Sequence, residues 1–341
     1  MKPTSFKFLT NANRDFTPRA IPLLILGAVL GVAQLNPPAI RADENTEKRL
    51  TPAQNSPPAE LPVRIPSDHL PNAIRLHEHV ISGGDPDGAE AFRELKALGV
   101  STIICVDGAR PDVEEAKKFG IKYVHLPHGY NGISKERAAQ LAKAVQTFPG
   151  SIYIHCHHGK HRSPAAAAVA CVGAGLISQE TARKTLPFAG TSEHYLGLYK
   201  SVEQTHPLSQ KALSAVPADF PEVAEVPHMA EAMVEIADIW ERSQTIPAAN
   251  WTPPANHPDL VPAHEVLLLR EQFTELLRTE EVAQSPDPVQ SMFQASEKAS
   301  LILEESLRAN PQDLERANKA YGTVRNNCAA CHARFRDVEE P

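Results

Sequence analysis

The chain has 341 residues, with 34 Lys and Arg against 41 Asp and Glu, so its formal net charge is −7. That charge excludes a general attraction to nucleic acid or to an acidic membrane surface, and the length is about twice that of one ordinary domain. Thirty Pro beside 17 Gly, with 42% hydrophobic residues, exclude a fibrous or wholly disordered chain. Five Cys are too few for a disulfide-stapled scaffold, so each Cys is interpreted by its neighbours.

The N-terminus has the order of a secretory signal. Four basic side chains precede an apolar run, and two prolines follow the run and end it. We expect residues 1–42 to be a signal peptide, cleaved near Ala42, or an uncleaved N-terminal membrane anchor. The rest of the chain is then periplasmic or otherwise exported. Residues 43–70 are rich in Pro and charge and predict a disordered linker.

Residues 71–206 alternate short β-rich runs with helical periodicity. This alternation predicts an α/β domain with a central, mostly parallel sheet flanked by helices. The predicted strands cover 74–81, 101–106, 121–125 and 151–155, and the helices between them cover 89–98, 111–119 and 135–148. Gly99, Gly120 and Gly150 stand where these helices end.

The last of these strands runs into a loop that carries chemistry. The loop reads Cys156-His157-His158-Gly159-Lys160-His161-Arg162-Ser163, and an Ala-rich helix begins at Pro164. A loop at a helix N-terminus presents N–H groups to a phosphate, and positive potential there favours a thiolate at Cys156, which would be a nucleophile facing phosphorus. Arg162 can hold phosphate oxygens bidentately. The alternative is an inert anion-binding loop.

With the preceding strand, the central Gly159 and the following helix, residues 71–206 resemble the cysteine-dependent protein phosphatase superfamily, in its compact dual-specificity branch. The resemblance implies a phosphocysteine intermediate at Cys156 and phosphate binding by Arg162. It also implies that Ser163 assists departure of the thiolate and that His155 orients the loop.

One feature of that family is missing. The family takes its general acid, an Asp, from the loop after the third strand, but residues 126–133 of this chain contain no carboxylate. His128, whose ordinary pKa lies near neutral pH, and Asp107 in the neighbouring loop are the candidate proton donors. An acid from another loop, a substrate with a good leaving group and a weakened enzyme remain open.

The loop also suggests a substrate class. His157, His158, Gly159, Lys160 and His161 are predicted to bind substrate, and their positive character favours a multiply phosphorylated molecule. The loop resembles that of phosphoinositide phosphatases, which carry a Lys directly after the Gly. A phosphoprotein and a phosphoinositide or inositol phosphate both remain open, because the histidines could equally be neutral and face solvent.

Cys105 ends the strand that should neighbour the strand before Cys156. Because the ends of parallel strands share one edge, a reversible disulfide between Cys105 and Cys156 is possible in an oxidising compartment. Some lipid phosphatases of the superfamily resemble this arrangement. Cys105 is otherwise a small buried side chain, and Cys171 is predicted to be core.

The remainder of the chain has a different character. Residues 207–221 predict a Pro-rich linker, and residues 222–340 predict an all-α four-helix bundle. Its helices are expected at 222–243, 262–283, 287–309 and 311–337.

The last of these helices contains the motif Cys328-Ala329-Ala330-Cys331-His332, the attachment pattern of a c-type haem. Cys328 and Cys331 share a helical face and can form thioethers with one covalent haem c, and His332 can bind the iron. A zinc half-site or a redox pair is the alternative. With the motif at the end of the predicted bundle, residues 222–340 resemble the cytochrome c′ and cytochrome c-556 family.

That resemblance implies a side chain of the first helix over the haem. Met229 and Met233, one turn apart, are the candidates for a sixth ligand, and His228 is a rival. Five-coordinate iron open to a small gas molecule is the other outcome, since a Met stripe is also ordinary core.

We therefore expect an exported cysteine-dependent phosphatase that hydrolyses phosphate monoesters, fused to a haem domain for electron transfer, gas binding or redox control. A redox partner protein follows from the haem. The alternative is a haem electron-transfer or sensor protein whose first domain is a weak or inactive anion-binding module. Haem control of the redox state of Cys156 and Cys105 would join the two activities.

Overall fold

The computed structural model describes residues 61–247, 250–255 and 257–338. The predicted signal or anchor at 1–42 and most of the predicted linker lie outside these residues. Among the described helices, none is both long enough and apolar enough to cross a membrane.

A six-stranded mixed sheet forms the first region. Its strands are β1 Val63–Arg64, β2 Ile74–His77, β3 Val80–Gly83, β4 Val100–Cys105, β5 Lys122–His125 and β6 Ser151–His155. Their order across the sheet is β1-β2-β3-β6-β4-β5. The first three strands pair antiparallel, and β3, β6, β4 and β5 pair parallel.

Helices cover both faces of this sheet. They are α1 Gly88–Ala97, α2 Val113–Lys118, α3 Lys135–Thr147, α4 Arg162–Gly173, α5 Gln179–Ala189 and α6 Leu196–Gln204. Because side chains alternate along a strand, Ile104 and Ile154 pack on the face that holds α3 and α4, while Ile103 and Tyr153 pack on the face that holds α1 and α2. The predicted α/β domain with its mostly parallel sheet is confirmed.

The structure differs from the sequence predictions at three places. The predicted strand 74–81 is a hairpin of β2 and β3, with Glu78 and His79 at its turn. The folded region begins before residue 71, because β1 adds to the sheet and Leu70 is 1% exposed. The predicted linker 207–221 contains a helix, α7 Gln210–Ala215, whose Leu213 is buried.

The chain then crosses the free edge of the sheet. The N–H of His125 in β5 donates to the Pro221 carbonyl at 2.8 Å, and the Ala224 N–H donates to His125 Nδ1 at 3.1 Å. Phe220 packs against Phe148 with their ring centroids 5.1 Å apart. The segment 220–224 therefore satisfies part of an edge that β5 would otherwise expose.

The C-terminal region is helical. Its helices are α8 His228–Ser243, α9 Pro262–Leu276, α10 Glu280–Ala283, α11 Asp287–Arg308 and α12 Leu314–Cys331, followed by one π-helical turn, His332–Arg336. Ile236, Leu269, Phe293 and Val324, one from each long helix, belong to one buried cluster. The four predicted helices are present: two begin at the expected residues 262 and 287, and the other two begin three and six residues later than expected.

Candidate active site

The loop after β6 lies at the carboxyl end of the parallel strands. Its backbone is held against the end of β3, because Cys156 N–H donates to the Gly83 carbonyl at 3.4 Å and Asp85 N–H donates to the His157 carbonyl at 3.0 Å. Gly159 has a φ of +70°, and a Cβ there would overlap the backbone of Gly83. The loop therefore needs glycine for both conformation and space.

Cys156 lies at the base of this loop, with 3% of its surface exposed. Its Sγ–H donates to Ser163 Oγ at 3.3 Å, and the Ser163 hydroxyl donates to the Gly83 carbonyl at 2.9 Å. Helix α4 begins at Arg162 and has no side-chain cap, which leaves N–H groups of its first turn available to an anion. The sulfur therefore lies next to a helix N-terminus whose first-turn N–H groups have no side-chain cap.

Arg162 is a buried cation beside that sulfur. Its Nη2 lies 4.0 Å from Asp107 Oδ2, its guanidinium carbon lies 4.7 Å from the Tyr130 ring centroid, and its Nε is enclosed without a hydrogen-bond partner. Burial alone would lower the pKa of Arg162, but Tyr130, Cys156 and Asp107 raise it overall. A buried guanidinium with an unused donor is what an oxyanion would satisfy.

Asp107 follows β4, and its carboxylate pairs with the Arg162 guanidinium. Burial favours a raised pKa, but Arg162, His155 and the Ala109 N–H outweigh burial and lower the pKa of Asp107. The carboxylate accepts from Ala109 N–H at 2.9 Å and from Cys105 Sγ–H at 3.3 Å. Asp107 is therefore ionised at neutral pH, which suits a partner of Arg162 better than a proton donor.

His128, the other candidate acid, is neutral at pH 7. Burial lowers the pKa of His128 to about 4, with the charges of Arg162 and Arg137 acting in the same direction. Its Nδ1 faces the Gly129 carbonyl at 2.9 Å, while Nε2 is enclosed without a partner. A neutral imidazole whose N–H is already bonded is a poor general acid, so the role of His128 stays a prediction.

His155 is buried beneath the loop, as the predicted orienting role requires. Its Nε2 lies 2.7 Å from Tyr123 Oη, and its Nδ1 lies 3.2 Å from Asp85 Oδ1. Burial raises the pKa of Asp85, opposed by the charge of His155. Asp85 is absent from the site predicted from the sequence, although it follows β3 and the ends of neighbouring parallel strands meet at one edge.

Two of the loop histidines are neutral, which is one of the two outcomes that the sequence left open. Burial and the neighbouring His157 lower the pKa of His158, and burial, then His158, Lys160 and other cations, lower the pKa of His161 to about 4. These two imidazoles are thus neutral at pH 7. The predicted binding set remains together on the loop, but its net positive charge comes mainly from Lys160 and Arg162.

Cys105 and Cys156 are both free thiols. Strands β4 and β6 are adjacent and parallel, with Cys105 opposite His155 in register, as the sequence predicted. Burial, followed by the charge of Asp107, raises the pKa of Cys105 well above the ordinary thiol value. The redox disulfide stays a prediction, and Cys171 is buried in the core as expected.

Three of the predicted haem residues pack against one apolar cluster of the helical region. Met229, Met233, Cys328 and Phe335 all pack against the apolar cluster shared by α8, α9, α11 and α12. Cys328 and Cys331 are free and partly exposed thiols. Burial lowers the pKa of His332 to about 4, so its imidazole is neutral, the form that binds metals. This donor set fits a covalently attached haem.

The segment after the motif reaches the α/β region. The Arg336 guanidinium carbon lies 4.5 Å from the Tyr130 ring centroid, and Arg336 Nη2 lies 3.4 Å from Tyr195 Oη. The Tyr130 ring also contacts the Arg162 guanidinium, and the rings of Tyr195 and His161 lie 4.7 Å apart. No local sequence pattern predicts these contacts, because they join residues far apart in the chain.

Solved phosphatase structures overlap part of the chain at low similarity. TpbA from P. aeruginosa is 15% identical over 42% of this chain and 98% of TpbA, with a TM-score of 0.33. The core catalytic domain of the PP-IP phosphatase SIW14 from S. cerevisiae, in complex with citrate, is 17% identical over 45% of this chain and 92% of that domain, with a TM-score of 0.35. No family model and no curated protein matches the chain.

Proposed function

We propose that the α/β region is a cysteine-dependent phosphatase of the protein tyrosine or dual-specificity type that hydrolyses phosphate monoesters. The observation that carries this proposal is Arg162, a buried guanidinium with an unpartnered Nε beside the Cys156 sulfur. The unused N–H and the open first turn of α4 are the donors that a phosphate would take.

The chemistry follows from these positions. The Cys156 thiolate forms a bond to phosphorus as the ester P–O bond breaks, while Arg162 and the first-turn N–H groups stabilise the phosphoryl oxygens. Water then attacks the phosphocysteine, the S–P bond breaks, and inorganic phosphate leaves. Ser163, 3.3 Å from the sulfur, turns its hydroxyl from Gly83 to the departing thiolate.

The leaving oxygen also needs a proton. His128 is neutral and Asp107 is ionised at pH 7, whereas Asp85 has a raised pKa and a side chain that is 50% exposed. We include Asp85 with His128 and Asp107 as candidate donors. Alkyl esters need this proton and nitrophenyl esters do not. If Asp85 is the donor, Asp85→Asn should lower turnover of an alkyl phosphate much more than turnover of a nitrophenyl phosphate.

The substrate class in this proposal is a phosphorylated protein or an inositol phosphate. Lys160 and Arg162 supply positive charge at the loop, while two neutral histidines limit it. This balance favours substrates in which one phosphate enters the loop.

For the helical region we propose a four-helix bundle of the c-type cytochrome kind, in an exported protein. Cys328 and Cys331 would hold one haem c by thioethers, and His332 would bind its iron. Met229 or Met233 is the candidate sixth ligand. The haem would supply electron transfer or gas binding, with a redox partner protein in the first case.

The test of the phosphatase compares the mature, full-length protein with its Cys156→Ser variant, under reducing conditions. Phosphate release is measured from nitrophenyl phosphate, a phosphotyrosine peptide and inositol hexakisphosphate. We expect release that the substitution lowers by at least about 10³-fold, because a hydroxyl replaces the nucleophilic thiolate.

Equal release from both proteins would exclude Cys156 as the nucleophile. No release from either would leave the alternative, a haem protein with an anion-binding domain. A haem stain after denaturing electrophoresis tests the covalent cofactor separately, and a chain without the stain contradicts the haem proposal.

A further inference from the structure

Four side chains converge where the catalytic loop meets α8. His157 Nε2 lies 3.3 Å from Glu241 Oε2, and His158 Nε2 lies 2.9 Å from Glu241 Oε1. Asp238 Oδ1 lies 3.9 Å from His157 Nε2. The nitrogens of the two imidazoles and an oxygen of Glu241 all fall within 4.8 Å of one another.

The catalytic loop and α8 each direct two side chains towards the same point, as binding of one shared ion requires. Residues 157 and 158 are adjacent, yet their rings lie 4.3 Å apart and both Nε2 atoms face the same carboxylate. Asp238 and Glu241 are three residues apart on α8, which places them on one helical face. The set therefore has three mutually close members from two elements, with Asp238 next to His157 as a fourth side chain.

The donor chemistry is that of a transition-metal site. Neutral imidazole nitrogen and carboxylate oxygen are ligands of Zn²⁺ and related divalent ions. Two carboxylates balance the charge of one divalent cation, and two imidazoles complete four coordination positions. The side chains are 36% to 53% exposed, so an ion can enter from solvent.

We propose that His157, His158 and Glu241, with Asp238 as fourth ligand, bind one divalent cation of the Zn²⁺ class at the junction of the catalytic loop and α8. The cation fixes α8 of the helical region to the two residues that follow Cys156. It has no step in phosphate transfer, and its test measures cation binding directly rather than phosphatase activity.

The test uses the full-length protein and Zn²⁺ as the probe. Calorimetric titration is performed on the wild type, on Glu241→Gln, and on Glu235→Gln, a matched control at an exposed Glu of the same helix. We expect the Zn²⁺ affinity to fall at least about tenfold in Glu241→Gln and to be unchanged in Glu235→Gln, because only the first loses a ligand. Equal affinity in all three proteins would overturn the site.

Zinc K-edge X-ray absorption of the wild type with one equivalent of Zn²⁺ gives a second readout. We expect only N and O ligands at about 2.0–2.2 Å. A sulfur shell at about 2.3 Å would place the ion on cysteines and overturn the proposal. Circular dichroism confirms that Glu241→Gln is folded, which the isosteric change at a half-exposed side chain leads us to expect.

Discussion

The α/β region and the helical region build their sites in opposite ways. The first site joins three separate segments, and the parallel sheet brings together the loop of Cys156 and Arg162, the Asp107 loop and the Tyr130 loop. The motif 328–332 is five consecutive residues at the end of one helix. The first site completes most of its contacts within the protein chain, whereas the second is a local donor set for a proposed cofactor.

The first site therefore depends on the fold of the whole α/β region, and the motif depends only on its own helix. A side chain of the first site loses its role when a distant loop moves, whereas the motif keeps its spacing as long as α12 is helical. The comparison predicts that damage to one site leaves the other largely intact.

The largest effect is expected from replacing both motif thiols. Cys328→Ser with Cys331→Ser should abolish covalent haem completely, because no thioether can form, as a haem stain after denaturing electrophoresis would show. Turnover of nitrophenyl phosphate should change by less than about threefold, since no reacting group of the α/β site is altered. A tenfold fall in turnover would contradict the independence of the two sites.

Arg162→Lys should lower kcat/KM by about 10²–10³-fold. A lysine cannot reproduce the bidentate guanidinium and loses the stack on Tyr130. Arg93→Lys, on the exposed face of α1, is the matched control and should have wild-type kinetics. Equal kinetics for both variants would contradict the role of Arg162, while the haem stain should be unchanged in either.

Gly159→Ala should destabilise the α/β region by about 2–4 kcal/mol, because an alanine at φ +70° is strained and its Cβ overlaps Gly83. Gly175→Ala is the control, since Gly175 has φ +73° with no heavy atom within 4 Å of the added Cβ. Strain alone should cost it about 1 kcal/mol. Urea unfolding followed by hydrogen exchange separates the regions, and equal losses would sink the close-approach argument.

The lowered pKa of His128 makes the stability of the α/β region depend on pH. The pKa is about 4 in the folded chain against 6.5 for the ordinary imidazole, so below pH 6.5 the unfolded chain binds a proton that the folded chain does not. The stability is therefore complete above pH 6.5 and declines as the pH falls towards 4. His128→Gln should flatten this decline in urea titrations across that range, and an unchanged slope would contradict the burial of His128.

The smallest effect concerns the contact between the regions. Arg336→Ala removes a cation–π contact with Tyr130 that is worth about 0.5–1 kcal/mol, so kcat/KM should change about two- to fivefold. Arg334→Ala makes the same charge change in the same segment, but Arg334 stacks on Phe335 instead. Indistinguishable kinetics for the two variants would show that the regions work independently at this point.

The sequence predicted the parts of the fold that depend on local patterns. The strands β4, β5 and β6 are β-rich runs bounded by glycines that end the preceding helices, and each was expected within one residue of its bounds. The β2–β3 hairpin was missed, because Glu78 and His79 are not residues that favour a tight turn. Helix α7 was also missed, because it lies between prolines that predict a linker.

The site was predictable where it is local and unpredictable where it is not. Cys156, Gly159 and Arg162 belong to one loop, and their spacing predicted that the sulfur and the guanidinium would lie close together, as they do. The pairing of Arg162 with Asp107, the stack on Tyr130 and the nearby Asp85 depend on how three loops meet, which no local pattern encodes. The same applies to protonation, since burial decides that His128 and His161 are neutral.

The crossing of the sheet edge by segment 220–224 determines where the chain can be divided. A fragment that ends at residue 206, the boundary indicated by the sequence pattern, would lose the Pro221 carbonyl that accepts from His125 and the Phe220 ring that packs on Phe148. An uncovered edge strand pairs readily with another chain. Such a fragment would tend to self-associate through β5, whereas one that continues to residue 226 would keep the edge covered and stay monomeric.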